Sequence, residues 1–147
     1  MTVFTEPERS YLDGSLLGRL ATVGADGMPH VAPLRWFYDS TSDTLILGGH
    51  EDFATTKKFR DARRHGLATL IIDDIASFDP FTPRGIEIRG RAETHIEGGE
   101  EVGRRLGLRY PLSSAWIRLI PVRVVSWGLE GERFARSART VAATNSG

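Results

Sequence analysis

The 147-residue chain contains no cysteine. Disulfide bonds, thiolate catalysis and cysteine-ligated metal sites are therefore excluded. Long apolar runs are also missing: none approaches the roughly 20 residues that a membrane-spanning helix needs. The first residues, MTVFTEPERSY, are partly acidic and lack the apolar centre of a signal peptide. We therefore expect a cytoplasmic protein that does not enter the membrane.

The chain has no excess of charge of either sign. Lys and Arg together number 19, as do Asp and Glu. No overall field therefore attracts nucleic acid or anionic lipid, and neither is predicted as a partner. Any site that binds an anion must arise from a local arrangement of residues.

Familiar catalytic motifs are missing as well. The sequence has no GxGxxG, no Walker loop and no GxSxG elbow. The four histidines, at positions 30, 50, 65 and 95, are scattered without a carboxylate at metal-ligand spacing, so no metal site is predicted. No catalytic residue is identified, and an enzyme built this way would depend on a bound cofactor for its chemistry.

What the chain does contain is a series of short β-strand patterns joined by hairpin-type connections. Strands are predicted at 17–23, 30–38, 44–48, 67–73 and 85–95, with one or two more between 114 and 128, interrupted at Pro121. Helices are predicted after the capping box of Thr5 and Glu8, after Thr55–Thr56, and within 96–110. Segment 73–83, with two prolines, is expected to be a loop. The pattern favours one domain over 1–140, an antiparallel barrel or sandwich with peripheral helices, and a flexible tail over 141–147.

The stretch TTKKFRDARR, residues 55–64, places two lysines at the start of a predicted helix. A helix N-terminus already carries about half a positive charge, so Lys57 and Lys58 oppose the dipole there. Thr55 or Thr56 is suited to be the N-cap, leaving free N–H groups in the first turn. Free N–H groups, a dipole and two lysines together make a phosphate site.

Helical spacing separates the two lysines. At about 100° per residue, Phe59 and Ala62 define the buried side of the helix, and Lys58 lies about 40° from Ala62. Lys57 falls on the solvent side, with Arg60 and Arg64. Lys58 is therefore the better candidate for a direct phosphate contact. The alternative is a solvated basic face with Lys58 extended along it.

Two further sets of residues remain open to two interpretations. Arg35 follows Val31 and Pro33 on one face of a mostly apolar strand. A charge there either requires a partner or points to solvent from an edge strand. Trp127 ends the last predicted strand and serves either core packing or a ligand. The arginines that follow it recur every three residues, as in a basic helical face or an anion-binding arm: Arg133, Arg136 and Arg139.

The order of these features resembles the flavin-binding half of the pyridoxamine 5′-phosphate oxidase-like proteins. The resemblance covers most of residues 11–135. It rests on the hairpin Gly27-Met28-Pro29, the Lys57-Lys58 helix after TLILGG, and the closing segment PVRVVSWGLEGER. It implies a six- to seven-stranded antiparallel split β-barrel that forms homodimers with a flavin-type cofactor at the subunit interface. The implied cofactor-binding residues are Lys58, Lys57, Thr56, Thr55, Gly49, Arg35, Pro33, Val31, Trp127 and Arg133.

Departures from the family pattern refine the expectation. The oxidase has an arginine near the position of Ala32 or Pro33, and another where this chain has Ser137, so oxidation of vitamin B6 is not expected. Short relatives ending in PxRVxSWG resemble the actinobacterial branch that uses the deazaflavin coenzyme F-420. We therefore expect an oxidoreductase that uses F-420 and transfers hydride to a small organic acceptor. The alternatives are an FMN-dependent oxidoreductase, a non-catalytic flavin or deazaflavin carrier, and an interaction domain without a cofactor.

Overall fold

A computed structural model describes residues 2–14 and 17–141 of the chain. They form three helices, a 3₁₀ turn at Phe53–Thr55 and seven strands. The helices are α1 (Glu6–Leu12), α2 (Lys57–His65) and α3 (Gly99–Arg105). The strands are β1 (Gly18–Val23), β2 (Pro29–Asp39), β3 (Thr44–Gly48), β4 (Leu67–Phe78), β5 (Phe81–His95), β6 (Trp116–Trp127) and β7 (Arg136–Thr140). Apart from Val141, the tail predicted at 141–147 lies outside the described residues.

The strands form one antiparallel sheet that closes on itself. Their order is β3-β2-β1-β4-β5-β6-β7, and β3 also pairs with β6. Six strands therefore make a ring, and β7 extends the sheet beyond β6. The predicted six- to seven-stranded antiparallel barrel is confirmed. In this ring β1 and β6 are three strands apart in either direction, so they lie on opposite sides of the barrel.

The barrel interior is filled by the apolar side of the alternating strands. Leu70, Ile72, Ile86 and Ile88 are fully buried, and they face inward because side chains two residues apart share a face. Helix α2 packs against β1 and β5, so the barrel core fixes the position of the helix that carries the two lysines.

The loop predicted at 73–83 is wrong. Strand β4 runs to Phe78 and β5 begins at Phe81, so only Asp79 and Pro80, joined by a cis peptide bond, connect them. Beyond Asp73 and Gly85 neither strand has another neighbour, and the two form a projecting ribbon. With few buried side chains on either face, the ribbon carries none of the apolar alternation by which strands are recognised.

The helical interpretation of the carboxyl-terminal arginines is also wrong. Arg136 and Arg139 lie in β7, where a spacing of three residues puts them on opposite faces. Arg139 binds the carboxylate of Glu8, which is 1% exposed and also accepts a 2.7 Å hydrogen bond from Ser126 Oγ. Burial alone would raise the pKa of Glu8, but these hydrogen bonds, with that from the Thr5 N–H, lower it below its usual value. The contact ties α1 to the last strand.

A second buried carboxylate makes the stability of the fold depend on pH. Asp39, at the end of β2, is bound by Arg105 at 2.8 Å and by Ser42 Oγ at 3.0 Å. The hydrogen bonds from Arg105 outweigh burial and hold the pKa of Asp39 well below its usual range. Because the folded pKa lies below the unfolded value of about 4, its stabilising effect is present above pH 4 and lost on acidification.

Urea unfolding between pH 7 and pH 3 is therefore expected to show a falling free energy of unfolding. The Asp39→Asn variant provides the control. It should be less stable than the wild type at pH 7, and the difference should shrink as the pH falls below 4. A difference that stays constant over this range would contradict the assignment.

Candidate functional site

Helix α2 begins with an open N-terminus. Thr56 is the N-cap, and its Oγ1 accepts a hydrogen bond from the Phe59 N–H at 3.4 Å. The neighbouring Thr55 hydroxyl instead donates to the carbonyl oxygen of Asp52 at 2.8 Å. In the first turn, the N–H groups of Lys57 and Lys58 have no intrahelical acceptor. The helix thus presents free donors where the sequence predicted a phosphate site.

The two lysines of this turn have different environments. Lys57 Nζ lies 3.1 Å from Asp61 Oδ2, and Asp61 also pairs with Arg64 at 3.1 Å. Burial favours a raised pKa for Asp61, but hydrogen bonds from Lys57 and Arg64 lower it, so the carboxylate is charged at neutral pH. The Lys57 charge is therefore balanced. Lys58 makes no ion pair or hydrogen bond with any residue described, and its ammonium lies 5.7 Å from the centre of the Phe53 ring.

Two connecting segments surround these lysines: the one between β3 and α2, and the turn between β1 and β2. The Phe53 ring packs edge-to-face against Phe59 with ring centres 5.6 Å apart, and a β-carbon at Gly49 would lie 3.7 Å from its Cδ1. On the other side, a β-carbon at Gly24 would lie 3.0 Å from Lys57 Nζ. The turn between β1 and β2 therefore borders the start of α2. The structure brings together five of the candidate cofactor-binding residues: Lys58, Lys57, Thr56, Thr55 and Gly49.

His30 is a member of this neighbourhood that sequence reasoning missed. It pairs with Thr22 on the inner face of the sheet, and Thr22 Oγ1 donates to Asp61 Oδ2 at 3.4 Å. Its Nδ1 is buried without a hydrogen-bond partner among the described residues. Such an orphaned nitrogen is costly unless something binds it. Lys58 and the free N–H groups fit an anionic group such as a phosphate, and His30 is linked to their helix through Thr22 and Asp61.

The strand residues predicted to contact the cofactor lie on the outer face of β2. Val31 is 61% exposed, and Pro33 is exposed two residues further on. Arg35 is half-buried at the same face, and its guanidinium lies 5.2 Å from the centre of the Phe37 ring. No ion pair or hydrogen bond joins Arg35 to a described residue.

Trp127 and Arg133 lie elsewhere in the chain. The Trp127 ring lies over Gly85, where a β-carbon would come within 2.5 Å of the tryptophan Cζ2. Arg133 donates a hydrogen bond to the carbonyl oxygen of Phe81 at 3.1 Å. The register puts Trp127 at the level of Leu17, before β1, whereas α2 begins beside Gly24, after β1. Seven residues of extended chain span about 23 Å, and β6 is on the opposite side of the barrel from β1. One chain therefore does not bring Trp127 and Arg133 to Lys58.

Two other kinds of feature are absent from the described part of the chain. Residues 2–14 and 17–141 hold no group of three or more His, Asp or Glu side chains placed to bind a metal ion. Within the same ranges, no helix is long and apolar enough to cross a membrane.

Comparison with known proteins gives matches over most of the chain. The model of the family described as pyridoxamine 5′-phosphate oxidase matches residues 4–128. A protein of Streptomyces rimosus subsp. rimosus, named 5a,11a-dehydrotetracycline/5a,11a-dehydrooxytetracycline reductase, is 35% identical over 129 residues. That match covers 88% of this chain and 86% of the relative.

Solved structures share the fold at lower sequence identity. A conserved hypothetical protein of Mycobacterium tuberculosis, Rv2991, superposes with a TM-score of 0.64 at 24% identity, covering 86% of each chain. A structure described as an F420 reductase gives a TM-score of 0.62 at 21% identity, covering 82% of this chain and 98% of the other. At this identity the two structures support the fold alone.

Proposed function

The chain belongs to the pyridoxamine 5′-phosphate oxidase family, and on that premise we propose that it is an oxidoreductase that binds coenzyme F-420 and serves hydride transfer to a small organic acceptor. The observation that carries the proposal is Lys58, an unpaired cation in the open first turn of α2. The partnerless Nδ1 of His30 nearby supports the same reading. Both are expected of an anion site and unnecessary in a solvated helix face.

The residues of the chain have distinct roles in this proposal. Lys58, the first-turn N–H groups and His30 bind the cofactor phosphate. Lys57 is held by Asp61 and does not contact the phosphate directly. Val31 and Pro33 offer an exposed apolar surface to the cofactor ring. The bound cofactor supplies the hydride chemistry, and the protein supplies orientation and exclusion of water.

F-420 is preferred to FMN because a deazaflavin carries an acidic tail beyond its first phosphate. Arg60 and Arg63 are exposed on α2 with no acidic partner among the described residues, so they are available to that tail. FMN ends at the phosphate and needs only the start of α2, so an FMN-dependent enzyme is the second candidate.

We further propose that the working unit is a homodimer. Trp127 and Arg133 lie at the opposite side and end of the barrel from Lys58, so a cofactor that contacts both groups needs a second copy of the chain. A dimer would also cover exposed apolar side chains on the outer face, among them Val31 and Leu67 at 61% and 58% exposure. A symmetric pair then holds two equivalent sites.

The proposed activity is tested by mixing reduced F-420 with the protein and an acceptor, either menadione or a cyclic enone. Return of the absorbance of oxidised F-420 is expected only when protein and acceptor are both present. Oxidation of reduced FMN but not of reduced F-420 would favour the second candidate. Tight cofactor binding without turnover of any acceptor would instead indicate a carrier.

A further inference from the structure

A groove beside Arg35 has no part in the anion site described above. It encloses about 540 Å³ between the end of α1, the start of β1, the outer face of β2 and the segment after α3. This volume lies within the roughly 300–1,000 Å³ common for small-molecule sites. The groove opens on the face of β2 that carries Val31 and Pro33, where the proposed function puts the cofactor ring.

The walls of the groove are largely apolar. Leu17 is 53% exposed on one side, and Leu106 and Leu108 are half-buried on the other. Phe37 of β2 also lines the groove, and it packs with the two leucines on a common buried cluster of Ile46, Leu112 and Trp116. Such walls favour a flat, conjugated molecule, because aromatic and aliphatic side chains bury its faces without leaving polar groups unpaired.

Arg35 is the cation of this groove. It is half-buried, stacks on Phe37 and makes no ion pair or hydrogen bond with a described residue. The lining acid Asp13 is exposed and forms no ion pair with Arg35. A guanidinium held against an apolar wall without a carboxylate is suited to an anionic oxygen, which it binds with strong, directed hydrogen bonds.

We propose that this groove binds the hydride acceptor, and that the acceptor is a flat conjugated molecule with an anionic oxygen that pairs with Arg35. The acceptor role rests on the proposed function. It also changes the role of Arg35, which the family resemblance assigned to the cofactor. The phosphate is left to Lys58 and His30 on the other side of the site.

The test is isothermal titration calorimetry with 1-hydroxy-2-naphthoate, which is flat and anionic, and with 2-naphthol, which has the same ring system and no charge at neutral pH. Each is titrated into the protein with and without saturating oxidised F-420. The naphthoate is expected to bind more tightly than the naphthol. Arg35→Gln should weaken naphthoate binding about tenfold or more and change naphthol binding less than about twofold. Arg104→Gln, which removes an exposed charge on α3, is the matched control and should change neither.

Three results would overturn the inference. They are unchanged naphthoate affinity in Arg35→Gln, equal affinity for the two probes, and no binding of the naphthoate with or without F-420. Failure of the proposed function is seen separately, as absence of cofactor binding in the wild type. In that case, naphthoate binding that depends on Arg35 would keep the groove as a ligand site but remove its role as an acceptor site.

Discussion

Replacing Phe59 by alanine is expected to lower the free energy of unfolding by about 3–5 kcal/mol, the range for large buried aromatic residues. Phe59 is 1% exposed and packs edge-to-face on Phe53. No polar group is lost, so the effect comes from the cavity and the missing contacts. Urea denaturation at pH 7 measures it directly.

The matched control is Arg60→Ala, one residue along the same helix. Arg60 is exposed, and a surface substitution of this kind usually changes stability by less than about 0.5 kcal/mol. Equal losses in the two variants would contradict the packing of α2 against the barrel. Cofactor affinity should also fall in Phe59→Ala, since the same helix carries Lys58.

At a cofactor concentration that saturates the wild type but neither variant, mixing Lys58→Ala and Trp127→Ala chains is expected to restore activity that each variant alone has largely lost. The two residues lie on opposite sides of one barrel, so each proposed site takes Lys58 from one chain and Trp127 from the other. A mixed dimer then has one site with neither change. Random exchange of chains gives about a quarter of the wild-type number of sites, because half of the dimers are mixed and each has one intact site of two.

A second mixture is the control for this experiment. Lys58→Ala and His30→Ala alter the same half of the proposed site, so their mixed dimer has no intact site and should show no gain. Recovery in both mixtures, or in neither after exchange of chains has been verified, would contradict a site shared between two chains. Activity is followed as the oxidation of reduced F-420.

The helix with the two lysines could be predicted because its signals are local. A threonine cap, a buried stripe at helical spacing and a glycine after the last turn all lie within twelve residues, Thr55 to Gly66. The structure places each of these features as expected. What could not be predicted is the burial of Asp61, which pairs with Lys57 four residues earlier, because that burial depends on contact with β1.

The role of His30 could not be predicted either, because it depends on residues that are distant in the sequence. Its position follows from the two-residue alternation of β2, which puts it on the inner face with Leu34 and Trp36. Its significance depends on Thr22 and Asp61, which come from two other elements. The sequence has no signal that brings these three residues together.

The distance between Trp127 and Lys58 could not be predicted from the sequence either. Family resemblance assigned both to one cofactor, and nothing in the order of motifs indicates that they lie on opposite sides of a barrel. Closure of the ring through β3 and β6 decides it. The projecting ribbon and β7 were missed for a related reason, since exposed strands lack the apolar pattern that burial imposes.

The central claim is that the start of α2 binds the phosphate of a deazaflavin, and equilibrium titration with F-420 and FMN tests it most directly. Fluorescence of each cofactor is followed as wild-type and Lys58→Ala proteins are added, with Arg104→Ala as a control of equal charge. We expect F-420 to bind more tightly than FMN. We also expect Lys58→Ala to weaken F-420 binding by about 1.5–3 kcal/mol, the range for a hydrogen bond to a charged group, and Arg104→Ala to leave it unchanged. Wild-type protein that binds neither cofactor, or Lys58→Ala protein that binds F-420 as tightly as the wild type, would contradict the claim.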